Sequence, residues 1–69
     1  MKKEAVIKLL GRACAKLGGT AEFARAHRVT YEYVRAVRAG KREPGKAILD
    51  ALGLEKMPAD YRRKERKDG

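Results

Sequence analysis

Residues 21–40 read AEFARAHRVTYEYVRAVRAG and contain two short helical patterns in close succession. The first pattern places Phe23 and Ala24 on one apolar face, and the second does the same with Val34 and Val37. The chain between the two patterns is long enough only for a turn. This stretch therefore predicts a pair of short, tightly connected helices, around which the rest of the sequence can be interpreted.

Capping residues set the bounds of this pair. We predict the first helix at about residues 20–27, with Thr20 or Gly19 as its N-cap. A turn follows, and Thr30 caps a second helix at about residues 31–39.

A longer helical pattern precedes the pair, at about residues 3–17. Its apolar positions recur at helical spacing and are Val6, Leu9, Leu10, Ala13 and Leu17. Gly11 weakens this helix by about 1 kcal/mol relative to alanine, a tolerable cost if a neighbour packs closely there. Cys14, the only cysteine, is expected to be a small buried residue in a reducing cytoplasm.

A fourth helix is predicted at about residues 44–52, with Pro44 in its first turn and Gly53 at its end. Its apolar face carries Ile48, Leu49 and Leu52, after which Leu54 folds back. No run alternates with period two, so we expect no sheet of any size. The predicted fold is all-α, a small bundle of four to five helices.

The domain is expected to cover residues 1–56, leaving residues 57–69 as a basic C-terminal tail. Met57 and Tyr61 are expected to pack before order is lost. The tail's basic residues are Arg62, Arg63, Lys64, Arg66 and Lys67. Such a segment is either a solvated, frayed and flexible end or an arm that binds phosphates.

The charge of the chain indicates an anionic partner. Eighteen Lys and Arg against nine Asp and Glu give a net charge of +9, which is typical of a phosphate-binding domain. Charge alone is also compatible with a generic basic surface. Its distribution favours the first interpretation, because only Glu32 and Glu43 oppose seven basic residues in the range 25–46.

Several classes of protein are not expected. No segment fits a signal peptide or a membrane span, so we expect a cytoplasmic protein with no membrane partner. No Cys, His and acidic residues have metal-ligand spacing, and neither a metal nor a cofactor is expected. The chain contains no serine, and its single His and Cys lack an acid partner in motif spacing. We therefore expect no enzyme, no catalytic residue and no small-molecule substrate.

A specific spacing runs through the central pair of helices. Ala24 in the first helix is followed after five residues by Val29 in the turn and after five more by Val34. Val37 and a closing Gly40 complete it. This arrangement resembles the helix-turn-helix of phage Cro and lambda-repressor-like proteins, over about residues 6–54.

The resemblance implies a lambda-repressor-like bundle and a sequence-specific transcriptional regulator. It implies a repressor of phage or prophage type that inserts the helix at residues 31–39 into the major groove of double-stranded DNA. The expected setting is the cytoplasm of a bacterial host. Binding to an operator as a weak homodimer is also expected, because one short helix reads too few base pairs.

The chain departs from the family at two positions. The family usually has Gly in the turn where this chain has Arg28, so we expect Arg28 in a left-handed conformation that costs about 1 kcal/mol. Thr20 stands where the family often has Gln, which removes a familiar phosphate-contacting amide.

Base contacts are expected from the outward face of the second helix of the pair. The resemblance assigns them to Tyr31, Glu32 and Ala36, with Thr30 near the edge. Arg35 is added because of its position on the helix and its chemistry. No Asn or Gln occurs in the chain, so adenine cannot be read by a side-chain amide. Glu32 either reads a base or holds Arg35 at i, i+3.

Contacts to the DNA backbone are expected from residues that flank this face, namely Thr20 at the start of its helix, Arg28, Tyr33, Lys41 and Arg42. Arg38 lies toward the packed side. It either contacts the backbone or pairs with a carboxylate such as Glu4 or Glu22. His27 is expected to pack with its ring.

Two other functions remain open. A DNA-binding antitoxin, or another protein-interaction module, would keep the same pair of helices and use the tail for its partner. Non-specific binding of RNA or single-stranded nucleic acid is the third possibility, since Tyr31 and Tyr33 alternate with charged residues.

Overall fold

The computed structural model describes residues 1–63, which form four helices followed by a β-hairpin. In chain order the elements are α1 Lys3–Leu17, α2 Thr20–Ala26, α3 Tyr31–Arg38, α4 Lys46–Leu52, β1 Leu54–Lys56 and β2 Tyr61–Arg63. The helices agree with the predicted ones to within two residues at each end. The last six residues of the predicted tail lie outside the described residues.

Local capping explains where the central helices begin and end. The Thr30 hydroxyl accepts the Tyr33 N–H at 3.2 Å, and α3 begins there as predicted. At the other end Gly40 has a φ of 78°. The Gly40 N–H donates to the Val37 carbonyl, and the Lys41 N–H donates to the Ala36 carbonyl at 2.9 Å. This pair of bonds is a Schellman motif, which requires a left-handed residue and suits glycine.

The core lies between α1, α2, α3 and α4. Phe23, Ala24, Val34 and Val37 are buried as predicted, and Cys14 is a buried free thiol among them. Val29 in the turn packs partly buried against this cluster. Leu17 is the exception on α1, since 44% of it remains exposed at the end of the helix.

A second apolar cluster joins α1 and α4 to the hairpin. It consists of Val6, Leu49, Leu54 and Tyr61, with Leu9 and Leu52 packed against it. Leu54 is 1% exposed and Tyr61 8%, so each strand contributes one buried side chain to the domain. This cluster fixes the end of the chain against the helices.

The prediction of an all-α fold without a sheet is therefore wrong in one respect. Strands β1 and β2 pair antiparallel, with Glu55 opposite Arg62. The turn between them contains Pro58, which suits the first central position of a type I turn. Each strand has only three residues, too few for an alternating pattern to emerge from the sequence.

The hairpin also crosses the boundary that the sequence placed between residues 56 and 57. Tyr61 is buried, and the Arg62 guanidinium contacts the Glu55 carboxylate at 2.7 Å across the strands. The folded unit therefore extends at least to Arg63.

The first residue of the chain lies alongside β2. Met1 accepts the Tyr61 N–H through its carbonyl at 3.0 Å, and its ammonium group donates to the Tyr61 carbonyl. The same ammonium group lies 3.1 Å from the Asp60 carboxylate. The Tyr61 N–H bonds to this carboxylate as well, at 2.9 Å. This backbone bond, followed by the Met1 ammonium group, lowers the pKa of Asp60 below its ordinary value of 3.8.

Helix α4 begins two residues later than predicted. Gly45 is its N-cap and accepts the Leu49 N–H at 2.9 Å, so Pro44 lies outside the helix. No helix within residues 1–63 has both the length and the apolar content needed to cross a membrane.

Candidate nucleic-acid interface

Helix α3 has one fully buried face and one exposed face. Val34 and Val37 are 0% exposed and anchor the helix in the core. On the opposite side Tyr31, Glu32 and Arg35 are exposed. The other exposed residue of this eight-residue helix, Arg38, lies in its last turn.

The exposed face of α3 forms the wall of a shallow depression. Its lining residues are Glu32, Arg35, Ala36, Ala39 and Lys41. Three of the five predicted base-reading residues therefore share one surface with a lysine from the following loop. The small side chains of Ala36 and Ala39 keep the middle of this surface low.

The ion pair between Glu32 and Arg35, one of the two alternatives for Glu32, is not formed among the described residues. Within residues 1–63 neither side chain is part of a salt bridge. Both charged groups are therefore available to an external partner. A guanidinium presents parallel donors and a carboxylate only acceptors, so the two can bind different groups.

Thr30 and Tyr31 occupy the N-terminal end of the same face. The Thr30 hydroxyl oxygen accepts the capping bond, which leaves its hydrogen free to donate outward. Tyr31 is 45% exposed. All five predicted base-reading residues thus lie on α3 or at its N-cap, in agreement with the predicted face.

The turn between α2 and α3 is held by Arg28 in the left-handed conformation, as predicted, with a φ of 57°. The Arg28 N–H bonds to the Arg25 carbonyl at 3.4 Å, and the Val29 N–H to that of Ala24 at 3.0 Å. These are the bonds of a Schellman motif with arginine where glycine is usual. The side chain of Arg28 is exposed just before α3.

Tyr33 connects α3 to the basic loop that follows it, residues 41–45, which read KREPG. Its hydroxyl accepts the Gly45 N–H at 2.6 Å, and the Arg42 guanidinium lies 5.3 Å from its ring centroid. A Cβ atom at Gly45 would collide with the Tyr33 hydroxyl, so glycine is required for this approach. From the sequence Tyr33 is expected only at the DNA backbone, and Gly45 is not indicated, because Pro44–Gly45 predicts a turn but not the residue that contacts it.

Arg38 closes the other end of α3 against α2. Its guanidinium donates to the Thr20 hydroxyl at 2.6 Å, and the alternative pairing with a carboxylate such as Glu4 or Glu22 is not formed among the described residues. A Cβ atom at Gly11 would lie 3.5 Å from the same guanidinium. The close packing that was expected at Gly11 is therefore made by the Arg38 side chain.

Lys41 begins the basic loop. Its backbone N–H is used in the cap of α3, whereas its side chain is exposed and lines the depression. Behind it the Lys3 ammonium donates to the Gly40 carbonyl at 3.2 Å, a contact that the sequence did not indicate. This bond ties the end of α3 to α1.

His27 packs as predicted. Its ring centroid lies 4.4 Å from that of Phe23, at the end of α2.

Comparisons with known proteins found no chain similar to this one. A scan against protein-family models found no match, and searches of curated proteins and of solved structures found none either.

Proposed function

We propose that this protein is a sequence-specific, double-stranded DNA-binding transcriptional regulator that inserts α3 into the major groove. The observation that carries the proposal is the division of α3. Its inner face is completely buried, while Glu32 and Arg35 on its outer face have no salt-bridge partner among residues 1–63. Exposed, unpaired groups on a rigid helix are suited to base edges.

Each outward residue has a partner in the major groove. Arg35 can donate two parallel hydrogen bonds to O6 and N7 of guanine, and Glu32 can accept from N4 of cytosine. Ala36 can contact a thymine methyl group and lets the helix approach closely. Thr30 and Tyr31 reach bases from the N-terminal end, which is the end that contacts base edges in helix-turn-helix proteins.

Positive charges at both ends of this face supply the contacts to the sugar–phosphate backbone. Arg28 precedes α3, and Lys41 and Arg42 follow it. Tyr33 positions the loop that carries Lys41 and Arg42. Thr20 and Arg38 bind each other, so their contribution is to hold α2 and α3 in place and to present the amides at the start of α2.

The resemblance to Cro and lambda-repressor-like proteins supports a repressor of phage or prophage type, acting in the bacterial cytoplasm. A homodimer on DNA follows from the small number of base pairs that one eight-residue helix can read. Two-fold symmetry would place half-sites about 34 Å apart, or one turn of the duplex.

Selection of bound sequences from a random duplex library tests this proposal. We expect enrichment of one motif repeated about one helical turn apart, with guanine at a fixed position. The selected duplex, a scrambled duplex, the single strand and the matching RNA are then compared at several salt concentrations. Equal affinity for the selected and scrambled duplexes would refute sequence-specific binding, and preference for the single strand or RNA would refute duplex recognition. An unrepeated half-site bound one to one would refute the dimer alone.

A further inference from the structure

A groove with an apolar floor and a positive rim runs along the side of α1 that faces α4 and the hairpin. Leu9, Leu52 and Leu54 contribute to its floor, and Arg12, Lys16 and Arg63 to its rim. A second hollow adjoins it, shares Leu9, Arg12 and Arg63, and adds Lys8 toward the start of α1. Together they extend from Ala5 to Lys16, which is about 17 Å along the helix axis.

The charge of this groove is of one sign. No acidic residue of the described chain lines either hollow. Its cations are also unpaired, since Arg12, Lys16 and Arg63 take part in no salt bridge within residues 1–63. The depression between the basic loop, α4 and β1 differs, because Glu43, Asp50 and Glu55 line it together with lysines.

The groove is separate from the proposed DNA interface. The depression on α3 and the groove on α1 have no lining residue in common. A ligand in the groove therefore does not compete for the residues of α3, and its binding is independent of DNA binding.

We propose that this groove is the docking site for an acidic amphipathic helix of a partner protein. Lys8, Arg12 and Lys16 follow one another at four-residue intervals, so their side chains start about 6 Å apart along α1. Carboxylates spaced by four residues on a neighbouring helix repeat at the same distance. Apolar side chains between those carboxylates fill the floor, and interfaces with such a centre and a polar rim are typical of protein partners.

Charge and shape argue against the other occupants. A second copy of this chain docked through the same groove would bring the same cations face to face. The chain's own last residues, KERKDG, are basic in balance and do not complement the rim. A duplex offers phosphates to the rim but no apolar group to the floor, and a lipid surface is too flat to enter a groove.

The test measures binding of a synthetic peptide to the full chain. The probe is a helical peptide of about 15 residues, with leucines along one face and glutamates elsewhere. The matched peptides are a version of the same composition with leucines spread around the helix and a version with lysine for glutamate. Amide chemical shifts of the protein locate the contact, and fluorescence anisotropy gives the affinity.

Two protein variants with the same change in net charge distinguish binding in the groove from non-specific electrostatic attraction. Arg12→Glu changes the rim of the groove. Lys46→Glu changes an exposed cation of the depression between the basic loop, α4 and β1. We expect Arg12→Glu to weaken the acidic amphipathic peptide at least about tenfold and Lys46→Glu to change its affinity less than about threefold. Shifts should fall on Leu9, Leu52 and Leu54, and circular dichroism should show both variants folded.

Other results would overturn the proposal. They are no binding, equal binding of the peptide with spread leucines, equal losses for the two variants, or shifts confined to α3. Shifts at Leu9, Leu52 and Leu54 produced instead by a duplex, or by vesicles of phosphatidylglycerol and phosphatidylcholine, would assign the groove to nucleic acid or to lipid.

Discussion

Arg28 occupies a backbone conformation in which glycine would be more stable. Its φ is 57°, and its exposed side chain forms no salt bridge within residues 1–63. A left-handed non-glycine residue costs about 1 kcal/mol or somewhat more. Within residues 1–63 no salt bridge of the Arg28 side chain offsets the cost of this conformation, which is consistent with a role in binding.

Arg28→Gly should therefore increase stability and weaken DNA binding. We expect the free energy of unfolding to rise by about 1 kcal/mol, as measured by urea denaturation. Affinity for every duplex should fall alike, and the salt dependence should decrease by about one phosphate contact. Arg28→Lys is the control, because it keeps both the charge and the strain. If the Gly variant binds DNA as tightly as the wild type, Arg28 is not part of the interface.

Asp60 gives the hairpin a dependence on pH. Its folded-state pKa lies below the ordinary value of 3.8 because its carboxylate accepts the Tyr61 N–H and contacts the Met1 ammonium group. A lowered pKa means that this stabilisation is complete above the unfolded-state pKa and disappears as the pH falls through the folded-state pKa.

The isosteric variant Asp60→Asn tests this directly. Urea denaturation near neutral pH should show the wild type to be the more stable protein, and the difference should vanish by about pH 2. A difference that persists unchanged at the acidic end would mean that the carboxylate charge does not contribute.

At the scale of secondary-structure elements, the bond between Tyr33 and Gly45 links α3 to α4 through the basic loop. Tyr33→Phe removes only the hydroxyl and leaves the Gly45 N–H without its acceptor. We expect a loss of about 1 kcal/mol in the free energy of unfolding and faster hydrogen exchange at the Gly45 amide.

Tyr31→Phe is the matched control for this variant. Tyr31 is exposed and its hydroxyl has no hydrogen bond within residues 1–63, so its removal should leave stability and Gly45 exchange unchanged. If both variants behave alike, the Tyr33 hydroxyl does not hold the loop.

The helices could be predicted from the sequence because their ends depend on local signals. Thr30 as an N-cap and Gly40 and Gly53 as stops act within a few residues of themselves. The buried face of α3 was equally predictable, since Val34 and Val37 are separated by one turn. The candidate interface follows as the opposite side of that helix.

The remaining features depend on contacts between distant residues. The hairpin pairs strands too short to show a pattern, and its stability comes from burying Leu54 and Tyr61 against α1 and α4. The bond from Arg38 to Thr20 spans 18 positions. Choosing the Thr20 hydroxyl over the carboxylate of Glu22 required the packing of α3 on α2.

At the scale of the whole molecule, the excess of eighteen Lys and Arg over nine Asp and Glu extends to the end of the chain. Arg62 is paired with Glu55 and Arg63 lies in β2, so these two residues of the predicted tail belong to the folded unit. The residues beyond it, 64–69, contribute Lys64, Arg66 and Lys67.

Removal of residues 64–69 should weaken binding to all duplexes by the same factor and flatten its salt dependence, because these cations supply attraction without base readout. The measurement compares the truncated and full chains on a selected and a random duplex. The full-length variant with Lys64, Arg66 and Lys67 changed to Ala should match the truncation. A loss confined to the selected duplex would instead make this segment a reader of sequence.

In the proposed complex α3 reads bases while the loop after it binds phosphates. Arg35→Ala removes a guanidinium from the middle of the outer face, and Lys41→Ala removes a point charge from its edge. Affinities of both variants for a selected and a random duplex, each at several salt concentrations, distinguish base reading from phosphate binding. We predict that Arg35→Ala costs about 1–3 kcal/mol on the selected duplex and far less on the random one. Lys41→Ala should weaken both alike and lower the salt dependence by about one contact. Equal losses on the two duplexes for Arg35→Ala would contradict the base-reading role of Arg35.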